Sequence, residues 1–161
     1  MNVVANPLIN ITLQGRHETY PKKRGMTRVP ELLDAGVKVA FGHDCVMDPW
    51  YSLGSADMLE VSSMGLHVAQ MTGVEQMKSC FRAVTEIPAA ILGLENYGLE
   101  KGCNADLVIL QAADPVEALR LKANRLFVIR KGKIISRSAP LQAELNLPGR
   151  PEIQDFLVHN E

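Results

Sequence analysis

The stretch VAFGHDCVMDPWY, residues 39 to 51, decides how the chain is read. Its first half is apolar, and Val37, Val39 and Phe41 alternate with Lys38 and Ala40, the period-two pattern of a strand that Gly42 ends. Its second half is polar and stopped by Pro49. His43 and Asp44 therefore stand side by side at a strand's end. Such a pair suits a metal site, half of an acid/base pair, or an ordinary turn, where these residue types are common.

Working outward, VPELLDAG (29–36) predicts a short helix, with Pro30 in its first turn and Gly36 as a left-handed stop. Further upstream, the apolar VVANPLINITL (3–13) predicts another strand, ending at Gln14, Gly15 and Arg16, followed by a long polar loop to Arg28. Downstream, Ser55 is expected to cap a helix with Asp57 in its first turn. Val61, Met64, Val68 and Met71 form that helix's apolar stripe, and Gly73 closes it. VEQMKSCFRAVT (74–85) and IPAAILGL (87–94) predict two more helices, Pro88 standing at the entry of the second. Strand, helix, helix on a mostly apolar chain predicts α/β architecture with parallel strands.

After Gly98 the signals become antiparallel in type. ADLVILQA (105–112) predicts a strand, and DPVEALRLKA (114–123) a helix opened by Asp114-Pro115. RLFVIRKGKIISRS (125–138) predicts a hairpin around Lys131-Gly132-Lys133. A boundary near residue 98 follows, with an α/β unit over 1–98 and a small β-rich unit over 99–161. That second unit ends in a Pro-rich tail without a clear period, expected to wrap over a surface.

Composition narrows the function classes. The 161 residues are 47% hydrophobic and 22% charged, an ordinary globular profile. A net charge of −1 gives no footprint for nucleic acid or an anionic membrane. No apolar run reaches the roughly 20 residues of a membrane span. Three scattered cysteines, Cys45, Cys80 and Cys103, without C-x-x-C spacing, argue against a disulfide framework or structural zinc and for a reducing cytoplasm. The H-x-E with P-C-x-x-C pattern of cytidine-deaminase-type zinc enzymes is missing, as are G-x-G-x-x-G and P-loop motifs.

GHDCVMDPWY (42–51), with NPLINITLQGRHETYPKKRG (6–25), closely resembles the cytosine deaminases of the amidohydrolase superfamily. EIPAAILGLENYGLEKGCNADLVIL (86–110) resembles that superfamily's passage from barrel to β-sandwich, and RLFVIRKGKII (125–135) the sandwich's closing hairpin. The resemblance implies a (β/α)8 barrel with a mononuclear divalent metal, iron or zinc. Its ligands are an H-x-H pair on the first strand, a His on a middle strand and an Asp on the last, which Asp44 matches. It also implies hydrolytic deamination: a metal-bound water of lowered pKa attacks the ring carbon bearing the amine. The last-strand aspartate accepts the water's proton and passes it to the leaving ammonia. Trp50 matches a family tryptophan near the substrate, where its plane lines a flat ring. Gln14, at the other strand's end, falls on the same catalytic rim and joins Cys45 and Trp50 as a substrate-binding candidate; Arg16 there is equally a structural ion-pair partner.

Much of the family's machinery is missing. There is no H-x-H, and the histidines are His17, His43, His67 and His159. The chain is therefore expected to be the C-terminal part of a larger deaminase: residues 1–98 the last barrel strands and helices, 99–161 later sandwich strands and tail. A lone aspartate does not hold zinc or iron tightly, so the chain alone is expected to bind no metal and to be inactive. Where cytosine-selective members carry a second Asp after the metal-ligand Asp, this chain has Cys45, smaller and normally neutral. That favours a bulkier base such as 5-methylcytosine. Blander assignments remain: His43 orienting the loop, His67 on a helix face, Met58, Met64, Met71 and Met77 as core. The pyrimidine base is the expected partner, with a homo-oligomer as the assembly. The competing expectation is a non-catalytic short paralogue acting as a binding or oligomerisation module.

Overall fold

Lys38–Phe41 forms a strand, β2, whose residues Val39, Ala40 and Phe41 are all buried, 1 to 3% exposed. Burial on both faces is what a parallel strand covered on each side shows. Its partner β1 (Asn2–Ala5) runs parallel to it, with Asn2 opposite Lys38 and Ala5 opposite Phe41. This computed structural model describes residues 1–149 and the backbone of the strand 153–155; His159 and the rest of the tail lie outside the described residues. They divide into two compact units, Met1–Glu95 and Asn96–Glu161.

In the first unit the chain departs from the expected strand after Ala5. Pro7–Leu13 is a helix, α1, so Gln14 follows a helix and not a strand end. Pro7 at its first turn supplies the helical φ and lacks the N–H that the turn would leave unpaired. That local signal outweighs the β-branched residues Ile9, Ile11 and Thr12. Next, α2 (Val29–Asp34) ends as expected, Gly36 taking φ +74°.

The helix α3 (Met58–Val68) is capped by Asp57, not Ser55: the Asp57 carboxylate accepts from Leu59 N at 2.8 Å. Ser55 instead donates to Glu60 at 3.0 Å. The buried face of α3 runs through Leu59, Val61, Ser62, Gly65 and Leu66; Met64 and Val68 are only half-buried. Gln70, at φ +55°, turns the chain out of α3, whereas Gly73 stands at the start of α4 (Val74–Arg82), its N–H donating to Gln76 at 3.0 Å. A helix α5 (Glu86–Ile91) follows. Ser62 Oγ donates to the Cys80 carbonyl at 2.7 Å, fastening α3 to α4 with both residues fully buried.

The second unit holds β3 (Leu107–Leu110), α6 (Pro115–Leu121), β4 (Arg125–Arg130) and β5 (Lys133–Arg137), the strands forming one antiparallel sheet in the order β3-β4-β5. Asp114 caps α6 by accepting from Val116 N and Glu117 N. The hairpin turns at Lys131 and Gly132, both at positive φ, as two-residue turns require. Asp106 clamps that turn, accepting from Lys131 N at 2.6 Å and pairing with Arg130 at 3.3 Å. The tail is not merely irregular: β6 (Gln142–Glu144) pairs antiparallel with β7 (Ile153–Asp155). Among the described residues there is no closed barrel, and no helix is long and apolar enough to cross a membrane.

Gly65 is where α3 meets β2. A Cβ there would stand 2.6 Å from Phe41 Cε2, so only glycine admits the ring. Gly65→Ala gains ~1 kcal/mol in helix propensity but forces Phe41 aside at ~1–3 kcal/mol. The expected result is net destabilisation, read as a lower urea midpoint at unchanged slope; a raised midpoint would contradict this packing.

Candidate active site

Parallel pairing brings two strand ends together. Gly42 N donates to Ala5 O at 2.9 Å, so the residues leaving β1 and β2 begin side by side. A Cβ on Gly42 would lie 2.5 Å from Asn6 Oδ1 and 3.0 Å from Val4 Cγ1, so glycine lets the Asn6 side chain cross there. Asn6 occupies the cap position of α1 but makes no capping bond. Its Nδ2 donates instead to Asp44 Oδ2 at 3.2 Å. Asp44 adopts φ +67°, a left-handed conformation that aspartate tolerates better than most residues, and its carboxylate is exposed.

His43 is an anchor beneath this turn. It is 8% exposed, and its Nδ1 lies 2.7 Å from the Cys45 carbonyl. A carbonyl only accepts, so Nδ1 carries the proton and Nε2 is left as an acceptor. That Nε2 is buried without a hydrogen-bond partner. Gly54, at φ +93°, passes so close that a Cβ would fall 2.7 Å from Nε2, and the Tyr51 ring stands edge-on at 6.1 Å.

Asp48 organises the next part of the loop. Its Oδ1 accepts from Trp50 N and Tyr51 N, each at 2.9 Å. The Tyr51 amide is the main cause of a carboxyl held below its usual range; partial burial opposes it, and the Cys45 thiol and the Trp50 and Val46 amides reinforce it. The Cys45 thiol lies between two carboxylates, donating toward Asp44 Oδ1 at 3.7 Å. Partial burial, then the hydrogen bond to Asp48 and the charges of Asp48 and Asp44, push that thiol up to about 11, so it is neutral at pH 7. Trp50 is 71% exposed, its ring presented to solvent.

Asp44, Cys45 and Trp50 thus share one loop. Gln14 belongs to another, where its side-chain amide packs so closely on Gly25 that no Cβ would fit there. Arg16 is exposed, its carbonyl accepting from Lys22 Nζ at 2.8 Å. His67 is on an exposed helix face, bonded to the Ser63 carbonyl. Asn6 and Asp48 are the contributors that pattern reasoning missed. The Asn-Pro and Asp-Pro pairs carry a turn signal that could have found them.

The family resemblance implies a metal, and the residues present do not fit one. Among the described residues no group of three His, Cys, Asp or Glu side chains converges as a metal site. Asp44 would supply one of the roughly four ligands that zinc takes, the Cys45 thiol holds its proton, and the free His43 nitrogen is enclosed by Gly54 and Tyr51.

The chain resembles several known proteins. The chain is 40% identical to the 5-methylcytosine deaminase of Klebsiella pneumoniae, solved with 5-fluorocytosine, superposing with a TM-score of 0.84 over 90% of this chain and 35% of that one. It is 36% identical to the pterin deaminase of Rhizobium rhizogenes strain K84, over 91% of this chain and 33% of the relative. It is 32% identical to the N-isopropylammelide isopropyl amidohydrolase of Pseudomonas sp. strain ADP, over 71% of this chain and 29% of the relative. The chain therefore spans about a third of the length of the proteins it matches. The amidohydrolase family model matches residues 1–137, a span that takes in both parallel strands, the Asp44 loop and the β3-β4-β5 sheet. The chain that sets this aspartate at the ends of two parallel strands belongs to the amidohydrolase family.

Proposed function

We propose that this chain supplies the C-terminal portion of a hydrolytic pyrimidine-base deaminase that prefers 5-methylcytosine to cytosine. In this reading β1 and β2 are the last strands of a (β/α)8 barrel, and the second unit belongs to the family's β-sandwich. The observation that carries it is the Asp44 loop: an exposed carboxylate at the ends of parallel strands, with Cys45 and Trp50 in the same loop. Barrel enzymes carry their chemistry at that end of the strands. The match to a 5-methylcytosine deaminase supports the substrate class.

The roles follow from the chemistry. Hydrolytic deamination adds a water oxygen to the ring carbon and expels the amine as ammonia. Asp44, oriented by Asn6, accepts a proton from the water and returns it to the departing nitrogen, the water's other proton ending on the ring nitrogen. Trp50 offers an aromatic face to a flat base. Cys45, small and neutral, leaves room beside the ring where a second carboxylate would otherwise stand. Enzymes of this family are generally metal-dependent, and the described residues do not by themselves make a metal site. No observation favours a non-catalytic module.

Two outcomes are expected. The 161-residue chain, reloaded with zinc or iron and dialysed, should hold close to no metal per chain by plasma emission spectroscopy. A content near one would show a complete site. In a chimera where residues 1–137 replace the matching third of the Klebsiella enzyme, 5-methylcytosine should be deaminated faster than cytosine. There Asp44→Ala should cost about 10²-fold or more in kcat, and Cys45→Asp should reverse the preference. A chimera that used cytosine at least as well as 5-methylcytosine would sink the substrate assignment.

A further inference from the structure

The loop from His43 to Ala56 has no regular structure, and its backbone includes four residues in the left-handed region: Asp44, Met47, Gly54 and Ala56. For L-residues that conformation costs roughly 1–2 kcal/mol each, so such a loop keeps one shape only where something holds it. The strand end is held by His43 through the Cys45 carbonyl, and the helix end by the Asp57 cap. Between them the chain must turn from Cys45 to Trp50, and backbone bonds from Met47 N to Leu53 O and from Asp48 N to Tyr51 O close the outer arc at 3.0 Å. Within that arc one side-chain oxygen, Asp48 Oδ1, collects the amides of Trp50 and Tyr51.

We propose that Asp48 is a positioning residue: its Oδ1 fixes the backbone of Trp50, and so sets where that ring stands relative to Asp44 and Cys45. Its functional meaning rests on reading Trp50 and Cys45 as substrate-facing, but the geometry stands without it. Tyr51, buried at 5% exposure against His43, pins the far side of the turn. The Trp50 ring itself packs on little, being 71% exposed. Its place is therefore set by its backbone, and that backbone by Asp48. Asparagine keeps an oxygen that both amides can reach and loses only the charge; alanine loses the acceptor.

Trp50 is the single tryptophan of the chain, which makes its fluorescence a direct report on this loop. Steady-state anisotropy and acrylamide quenching are measured on the 161-residue protein and on Asp48→Asn and Asp48→Ala, well below each melting temperature. Asp48→Ala should lower the anisotropy, as loop motion on the nanosecond scale is released, and raise the quenching constant. Asp48→Asn should remain close to the parent protein. A folded Asp48→Ala with unchanged anisotropy and quenching would overturn the proposal, even if its melting temperature fell, since stability alone does not move this signal. Equal losses in both variants would also overturn it, because charge and not acceptor geometry would then hold the loop. Should Asp48→Ala not fold, Asp48→Ser is read in the same way; its hydroxyl reaches the same amides more weakly, so it should fall between the parent and a freely moving indole, and parent-like values would overturn the proposal. No substrate enters this measurement, so failure of the deaminase reading and failure of this one are seen separately.

Discussion

The candidate site depends on one pairing. Because β1 and β2 run parallel with Ala5 opposite Phe41, two chain segments 36 residues apart leave the sheet at the same level. Parallel strands can be joined only by a crossover connection, and α1 and α2 supply it. Had the strands been antiparallel, the ends carrying Asn6 and Asp44 would lie at opposite edges, and no Asn6–Asp44 bond could form. Gly42 completes the constraint, since any side chain there would meet Asn6 Oδ1 at 2.5 Å and push it off the carboxylate.

Chemistry and fold compete for the same residues in this region. Asn6 stands where a helix cap is wanted, yet its amide serves Asp44 and leaves α1 without a side-chain cap. A missing cap costs a helix ~1 kcal/mol, and the buried Pro7, Leu8 and Ile9 offset it by packing. His43 is committed similarly. One ring nitrogen holds the Cys45 carbonyl, and the other is buried without a partner, an expense a purely structural residue would seldom carry. Asp48 differs: its carboxylate oxygen is used twice, and the bonds that shape the loop also keep the group ionised.

The second unit shows the same economy of polar side chains. Gln111, 8% exposed at the end of β3, makes a two-way clasp with Leu141, donating to its carbonyl and accepting from its amide, each at 2.8 Å. Asn124 donates to the Ala139 carbonyl at 3.0 Å. The segment after β5 is thus tied to the sheet by side-chain amides standing in for a strand ladder. Periodicity carries no trace of such ties, so no regular pattern marks this segment in the sequence.

What sequence alone determined was local. The β2 strand, the Gly36 stop, the Asp114 cap and the Lys131-Gly132 turn each rest on a few adjacent residues whose backbone preferences agree, so they were legible without a fold. The motif around Asp44 was equally legible, because its residues are contiguous. The sequence misleads where two local signals conflict. Residues 7–13 are rich in β-branched side chains, yet Asn6-Pro7 opens a helix there; Gly73 could as well end one helix as begin the next. Only the tertiary structure decided what reaches across the chain: that Asn6 bonds Asp44, that Gln14 packs on Gly25, and that Gly54 and Tyr51 close around His43. Those contacts follow from strand register and loop closure. Both are set by burial summed over many residues, and no short window of sequence contains it.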